Sequence, residues 1–132
     1  MKKNAIVILL MVISMSVVAQ NTTKLKVIYF HLEHRCSTCI SIEENTKKTL
    51  DTYFATQLKD GTITFQVYNV DDEKNLSLVE KYQADGSSLF LTQVNDTKEN
   101  TTNFTNFAFS YSRNEAEKFI AGLKEEIEKN LK

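Results

Sequence analysis

The chain has 132 residues, with 16 basic and 17 acidic side chains, two cysteines, three glycines and no proline. That length fits one domain with a core of its own, and a formal net charge of −1 offers no basic field for nucleic acid. Two cysteines are too few for a multi-bridge disulfide scaffold; three dispersed glycines form no phosphate-cradling loop for a flavin or nicotinamide, so no cofactor is expected.

Met1-Lys2-Lys3, the apolar run from Ala5 to Val18, and Val17-Val18-Ala19 before Gln20 have the charged, apolar and small-residue regions of a secretory signal peptide. Residues 1–19 are therefore expected to be removed after Ala19, which places the mature chain in the periplasm or outside the cell. The apolar run falls short of the roughly 20 residues a spanning helix needs, so the mature form is not expected to span a membrane. Losing Lys2 and Lys3 leaves 14 basic against 17 acidic residues, a net charge of −3.

Residues 20–24 read as a polar linker and 25–132 as the domain. Leu25-Lys26-Val27-Ile28-Tyr29-Phe30-His31 contains an unbroken β-branched and aromatic run, the pattern of a strand buried on both faces. Cys39, Ile42, Thr46, Leu50, Tyr53, Phe54 and Leu58 recur at three- and four-residue spacing, which predicts one helix over roughly 36–58. Glu43 with Lys47 and Glu44 with Lys48 are expected to pair along it, and Asp60-Gly61 to end it.

Ile63, Phe65 and Val67 alternate with Thr64, Gln66 and Tyr68, predicting a second strand over 62–70. Asp71-Asp72 offers N-caps for a helix with Leu76, Val79 and Tyr82 inward, broken at Asp85-Gly86. Next comes a hairpin: Ser88 to Val94, a polar turn over Asn95–Asn100, and a strand through Phe104 and Phe107. Phe104, Phe107, Phe109 and Tyr111 are expected in the core and on the sheet face. Ser112-Arg113-Asn114-Glu115 has the form of a capping box, followed by the apolar stripe Ala116, Phe119, Ile120, Leu123, Ile127 and Leu131. The predicted order is βαβαββα, an α/β fold with a central mixed sheet flanked by helices.

The two cysteines lie in His34-Arg35-Cys36-Ser37-Thr38-Cys39, where the first strand gives way to the first helix. A bridge across two intervening residues closes too small a loop to restrict the unfolded chain much, so chemistry is the better reading. If Cys36 opens the helix, its sulfur meets unsatisfied backbone N–H groups and the positive end of the helix dipole, both of which stabilise a thiolate. Arg35 adds a cation beside it, as does His34 when protonated. Cys39, one turn deeper, is then the resolving thiol. A second reading stays open: His31, His34, Cys36 and Cys39 put four soft or borderline ligands within nine residues, suited to copper(I), zinc or a trivalent metalloid. An inert bridge is the third.

Strand, C-x-x-C at a helix N-terminus, strand, helix, hairpin and terminal helix is an order that resembles the thioredoxin superfamily over residues 25–131. Val67-Tyr68-Asn69-Val70-Asp71, Glu80-Lys81-Tyr82 and Gly86 are similar as well. Through Tyr29-Phe30-His31, Arg35-Cys36-Ser37-Thr38-Cys39, Ser87-Ser88-Leu89-Phe90 and Phe109-Ser110-Tyr111 the chain resembles, more narrowly, small secreted thioredoxin-like proteins of the ArsF family, described as a nitrophenyl-compound nitroreductase subunit. The resemblance implies a thiol-disulfide oxidoreductase acting on protein thiols or disulfides, supplied by a membrane electron donor or serving a reductase subunit. It also implies that Ser88 stands where thioredoxins carry a cis-proline facing the C-x-x-C, with Ser87 before it, and that Phe30 stands where many keep a buried carboxylate.

Overall fold

The computed structural model describes residues 22–132, so the signal-peptide reading and its cleavage after Ala19 lie outside the described residues. The architecture is set by strand β1, Leu25–His31, at the interior of a four-stranded sheet of order β2-β1-β3-β4. β2 (Ile63–Asn69) runs parallel to β1; β3 (Ser88–Asn95) runs antiparallel to it and β4 (Lys98–Asn103) antiparallel to β3. The sheet is therefore mixed, as expected. A parallel pair needs a long crossover, and α1 (Ser37–Tyr53) with α2 (Ala55–Lys59) provides it. The later helices are α3 (Leu76–Tyr82), α4 (Thr105–Tyr111) and α5 (Ala116–Asn130).

Successive residues of a strand point to opposite faces, and β1 buries both. Leu25, Val27 and Tyr29 join Leu89 and Leu91 of β3, Ile42, Leu50 and Phe54 of the first helical segment, and Phe119, Leu123 and Ile127 of α5 in the larger core. Ile28 and Phe30 turn the other way and pack with Tyr82, Ala84 and Phe90, backed by Leu78 and Val79 of α3. Each fully buried large side chain contributes about 1.5–3 kcal/mol of burial, and among the described residues twelve lie below 2 % exposure. The sheet is thus covered on both faces, with α1 and α5 on one side and α3 on the other.

Several local readings are corrected. The single helix over 36–58 is two: at Phe54 (φ −131°) the backbone leaves helical geometry, which carries the Phe54 ring into the core and leaves Tyr53 exposed. The expected Glu43–Lys47 pair does not form, because Glu43 turns to Arg35 and Lys47 to Asp51, and Glu44 makes no ion pair with Lys48 either. A 3₁₀ turn, Glu73–Asn75, capped by Asp72 precedes α3, and the helix ends at left-handed Gln83 before reaching Gly86. Leu76 is 56 % exposed, so the inner face of α3 is Leu78, Val79 and Tyr82.

The hairpin closes over Asp96-Thr97, with Asp96 in the left-handed region and Asn95 opposite Lys98. Half of the segment expected to be a turn, Lys98 to Asn100, is therefore in β4, a polar edge strand with no buried face to leave an apolar signature. Phe104, Phe107 and Tyr111 form a helical stripe instead of a strand: Asn103 Oδ1 accepts from Thr105 N–H at 3.0 Å and α4 starts there. Phe107 packs 4.7 Å from Phe104, 4.8 Å from Tyr111 and 6.5 Å from Phe119, ring centre to ring centre, while Phe109 faces solvent. Ser112 is correspondingly helical (φ −57°, ψ −36°) and ends α4, so it cannot take the extended geometry of an N-cap; α5 begins after Glu115 without a side-chain cap.

Gly122 on α5 faces the Phe107 ring so closely that a Cβ there would fall 2.3 Å from Cζ. Helix propensity alone favours Gly122→Ala by up to about 1 kcal/mol. Because Phe107 is held between three other rings, the variant is instead expected to lose about 1–3 kcal/mol, read as a lower urea midpoint.

On the opposite edge, Glu99 of β4 accepts from Lys26 of β1 and from Lys81 in the last turn of α3, each at 2.6 Å. Those two hydrogen bonds hold its carboxyl down at about 2, against 4.5 for a free glutamate. Its folded pKa lies below the unfolded one, so the contribution to stability is complete above about pH 4.5 and is lost as pH falls toward about 2. Denaturation midpoints measured across that window are expected to fall more steeply in the native protein than in Glu99→Gln.

Candidate functional site

β1 ends at His31, and Leu32 to Arg35 carry the chain to the N-terminus of α1 at the carboxyl end of the interior strand. Cys36 is the N-cap residue, with extended backbone (φ −79°, ψ 161°), and its Sγ accepts from Cys39 N–H at 3.1 Å. The first helical bond, Ile40 N–H to Cys36 C=O, is 3.0 Å. α1 has no acidic residue in its first turn, so no carboxylate there offsets the positive end of the dipole that the Cys36 sulfur meets. The cysteines are joined as a disulfide with Cα atoms 5.0 Å apart. Cys36 is exposed and Cys39 is 6 % exposed, which makes the sulfurs unequal in access.

The other expected site residues are placed as follows. His34 is exposed. Arg35 pairs with Glu43 and lies over the Tyr29 ring, 5.9 Å from its centre, so its charge is shared with a carboxylate as well as lying next to Cys36 in sequence. His31 is held at the strand end, its Nδ1 2.9 Å from the Leu32 carbonyl. Among the described residues no group of three or more His, Cys, Asp and Glu side chains is arranged to hold a metal, and the metal reading of His31, His34 and the two cysteines draws no support from this geometry.

Ser88 opens β3 directly opposite Phe30 of β1, and its hydroxyl donates to the Gly86 carbonyl at 2.9 Å. All peptide bonds among the described residues are trans, the Ser87-Ser88 bond included. Ser87 Oγ is buried beside the Tyr29 phenol, near enough to act on it electrostatically, yet makes no hydrogen bond of good geometry.

Tyr29 was not singled out as a site residue from the sequence. Its phenol donates to the Cys39 carbonyl at 2.8 Å in the interior. Burial pushes the phenol's pKa up, with Ser87 and Arg35 acting weakly against the shift, so the group stays protonated and remains a donor. The position beneath the second cysteine thus belongs to Tyr29. Phe30, expected in the carboxylate's place, points to the far face and packs against Tyr68, Tyr82 and Phe90 at 5.7, 5.7 and 5.9 Å. Strand alternation is the reason: neighbours on β1 serve opposite cores. The cue for Tyr29 was its parity with Val27 and Leu25.

No model of a known protein family matches the chain, and no curated protein matches it. Among solved structures it is similar to a thioredoxin from Thermus thermophilus, at 15 % identity over 81 % of this chain and 76 % of that one, with a TM-score of 0.51. It is also similar to a malarial protein at 18 % identity over 76 % of this chain and 97 % of that one, with a TM-score of 0.45, too loose to argue from. With the strand order and helix placement above, the first of these shows a thioredoxin-like fold.

After reduction, iodoacetamide is expected to alkylate Cys36 at least roughly tenfold faster than Cys39, since thiolate character and access both favour it. Peptide mapping of partly labelled protein reads the ratio directly.

Proposed function

We propose that this chain carries out thiol–disulfide exchange or electron transfer through Cys36 and Cys39, Cys36 attacking and Cys39 resolving. The observation that carries the reading is an exposed sulfur capping a helix N-terminus, bonded to a buried sulfur one turn in, on a thioredoxin-like fold. The exchange passes through a mixed disulfide between Cys36 and a partner, which Cys39 then displaces. Protein thiols or disulfides are the partners that chemistry takes.

The signal-like segment over residues 1–19 supports export to an oxidising compartment, where such a pair is kept oxidised or is reduced by a dedicated supply of electrons. The narrower resemblance to the ArsF family supports a role as the redox subunit of another protein, receiving electrons from a membrane donor and passing them to a reductase subunit. The thiol pair is then the redox centre the chain brings, with nitro reduction belonging to the partner.

The test is a redox titration of the protein against glutathione or dithiothreitol. A reversible two-electron couple is expected, absent from Cys36→Ser, with a potential near about −270 mV marking a reductant and near about −120 mV an oxidant. A chain with no reversible couple does not perform this exchange.

A further inference from the structure

Once the Cys36–Cys39 bond is open, nothing covalent keeps the two sulfurs together. Resolution of a mixed disulfide then depends on how firmly Cys39 is held within reach of Cys36, because an intramolecular attack draws its speed from positioning. A helix N-terminus holds its residues poorly, since the first N–H groups have no partner within the helix. The apolar anchors of α1 lie further along, at Ile42 and Leu50.

Cys39 is held from two sides. Its N–H donates to Cys36 Sγ at 3.1 Å, and its carbonyl accepts the Tyr29 phenol proton at 2.8 Å. The first bond ties the motif to itself. The second reaches back ten residues to β1, a strand paired along both edges. Among the described residues it is the one hydrogen bond from the sheet to the first turn of α1.

The surroundings of the phenol commit it to that bond. A phenol has a single proton to give, and the Arg35 guanidinium over the ring can accept none. Ser87 Oγ, buried beside it, makes no hydrogen bond of good geometry. Burial keeps the phenol protonated, and a ring with 0 % exposure, set between Val27 and the end of β1, has no room to swing away.

Resting on the thiol-exchange reading, we propose that Tyr29 is a positioning residue of the exchange: its hydrogen bond to the Cys39 carbonyl holds the buried cysteine ready to attack Cys36 while the bridge is open. Cys36 thiolate first attacks a partner disulfide, forming one S–S bond and releasing one partner sulfur as thiolate. Cys39 then gives its proton to solvent and its sulfur attacks the Cys36 sulfur. The Cys36–partner bond breaks, and the second partner sulfur leaves with the electron pair and takes a proton from solvent. Two electrons have passed from the cysteine pair to the partner, and Tyr29 has supplied geometry alone. Without its phenol the reduced first turn samples more conformations, so closure of the bridge is slower and less favourable and the couple becomes more oxidising.

The experiment compares native protein with Tyr29→Phe, which removes one oxygen and keeps the buried ring, using oxidised glutathione as probe. Formation of the mixed disulfide at Cys36 is expected to match the native rate. Release of glutathione by Cys39 is expected to slow roughly tenfold, the size of one net hydrogen bond. A tenfold loss in the closure equilibrium raises the two-electron potential by about 30 mV. Tyr82→Phe removes a buried phenol from the opposite core, where it lies 3.2 Å from Thr92 Oγ1, and is expected to change neither quantity. Native release and potential in Tyr29→Phe overturn the proposal, as do equal slowing of both steps or the same losses in Tyr82→Phe, which mark a general effect on the fold.

Hydrogen exchange in the native protein needs no variant. The Ile40 amide, bonded to the Cys36 carbonyl at 3.0 Å in the first turn, is expected to be as protected in the reduced protein as in the oxidised one. Loss of that protection on reduction overturns the proposal. A native protein that forms no mixed disulfide fails the exchange reading and this proposal together, whereas native exchange with an indifferent Tyr29→Phe removes this proposal alone.

Discussion

Everything in this fold hangs on a strand that is buried on both sides. β1 is paired along its length with β2 and β3, so its side chains have no solvent face to choose, and alternation alone decides which core each one enters. Tyr29 falls on the side of α1 and Phe30 on the side of α3. Because α1 is pressed onto the first of these cores through Ile42 and Leu50, its N-terminus is fixed over the end of β1 and over the Tyr29 phenol. Shifting the register of β1 by one residue would exchange every contact between the strand and the helix that carries the cysteines.

The elements legible in the sequence are those whose burial leaves a period. The continuous apolar run of β1, the alternation in β2 and the three-and-four stripe of α5 all correspond to interior side chains. Where burial is absent the pattern is silent: Lys98–Asn103 is a strand defined only by its backbone bonds to β3. Where two periods overlap it misleads, and Phe104, Phe107 and Tyr111 pass for strand residues until Asn103 is seen to start a helix. The apparent capping box at Ser112 has the same origin, since Ser112 belongs to the end of α4.

The site divides along a similar line. Cys36 and Cys39 announce themselves by spacing, and their unequal exposure follows from the helix position that spacing implied. Tyr29 and the Arg35–Glu43 pair belong to no motif; one is found through the parity of a strand and the other through a long-range competition for Arg35. Glu43 sits at good spacing for Lys47, yet a half-buried guanidinium presents a fixed fork where an exposed ammonium offers only a screened, mobile charge. Local rules of helix pairing yield to that geometry.

The bridge between Cys36 and Cys39 spans three positions of one chain segment, and both ends belong to the same helical turn. The apolar contacts of the larger core that join the helices to the sheet do not run through it; those are made by Ile42, Leu50, Phe119, Leu123 and their partners. Oxidation and reduction therefore act on a covalent detail at the rim of the molecule and leave its architecture unburdened. A bridge so placed can open or close without breaking any contact of the larger core that holds the fold.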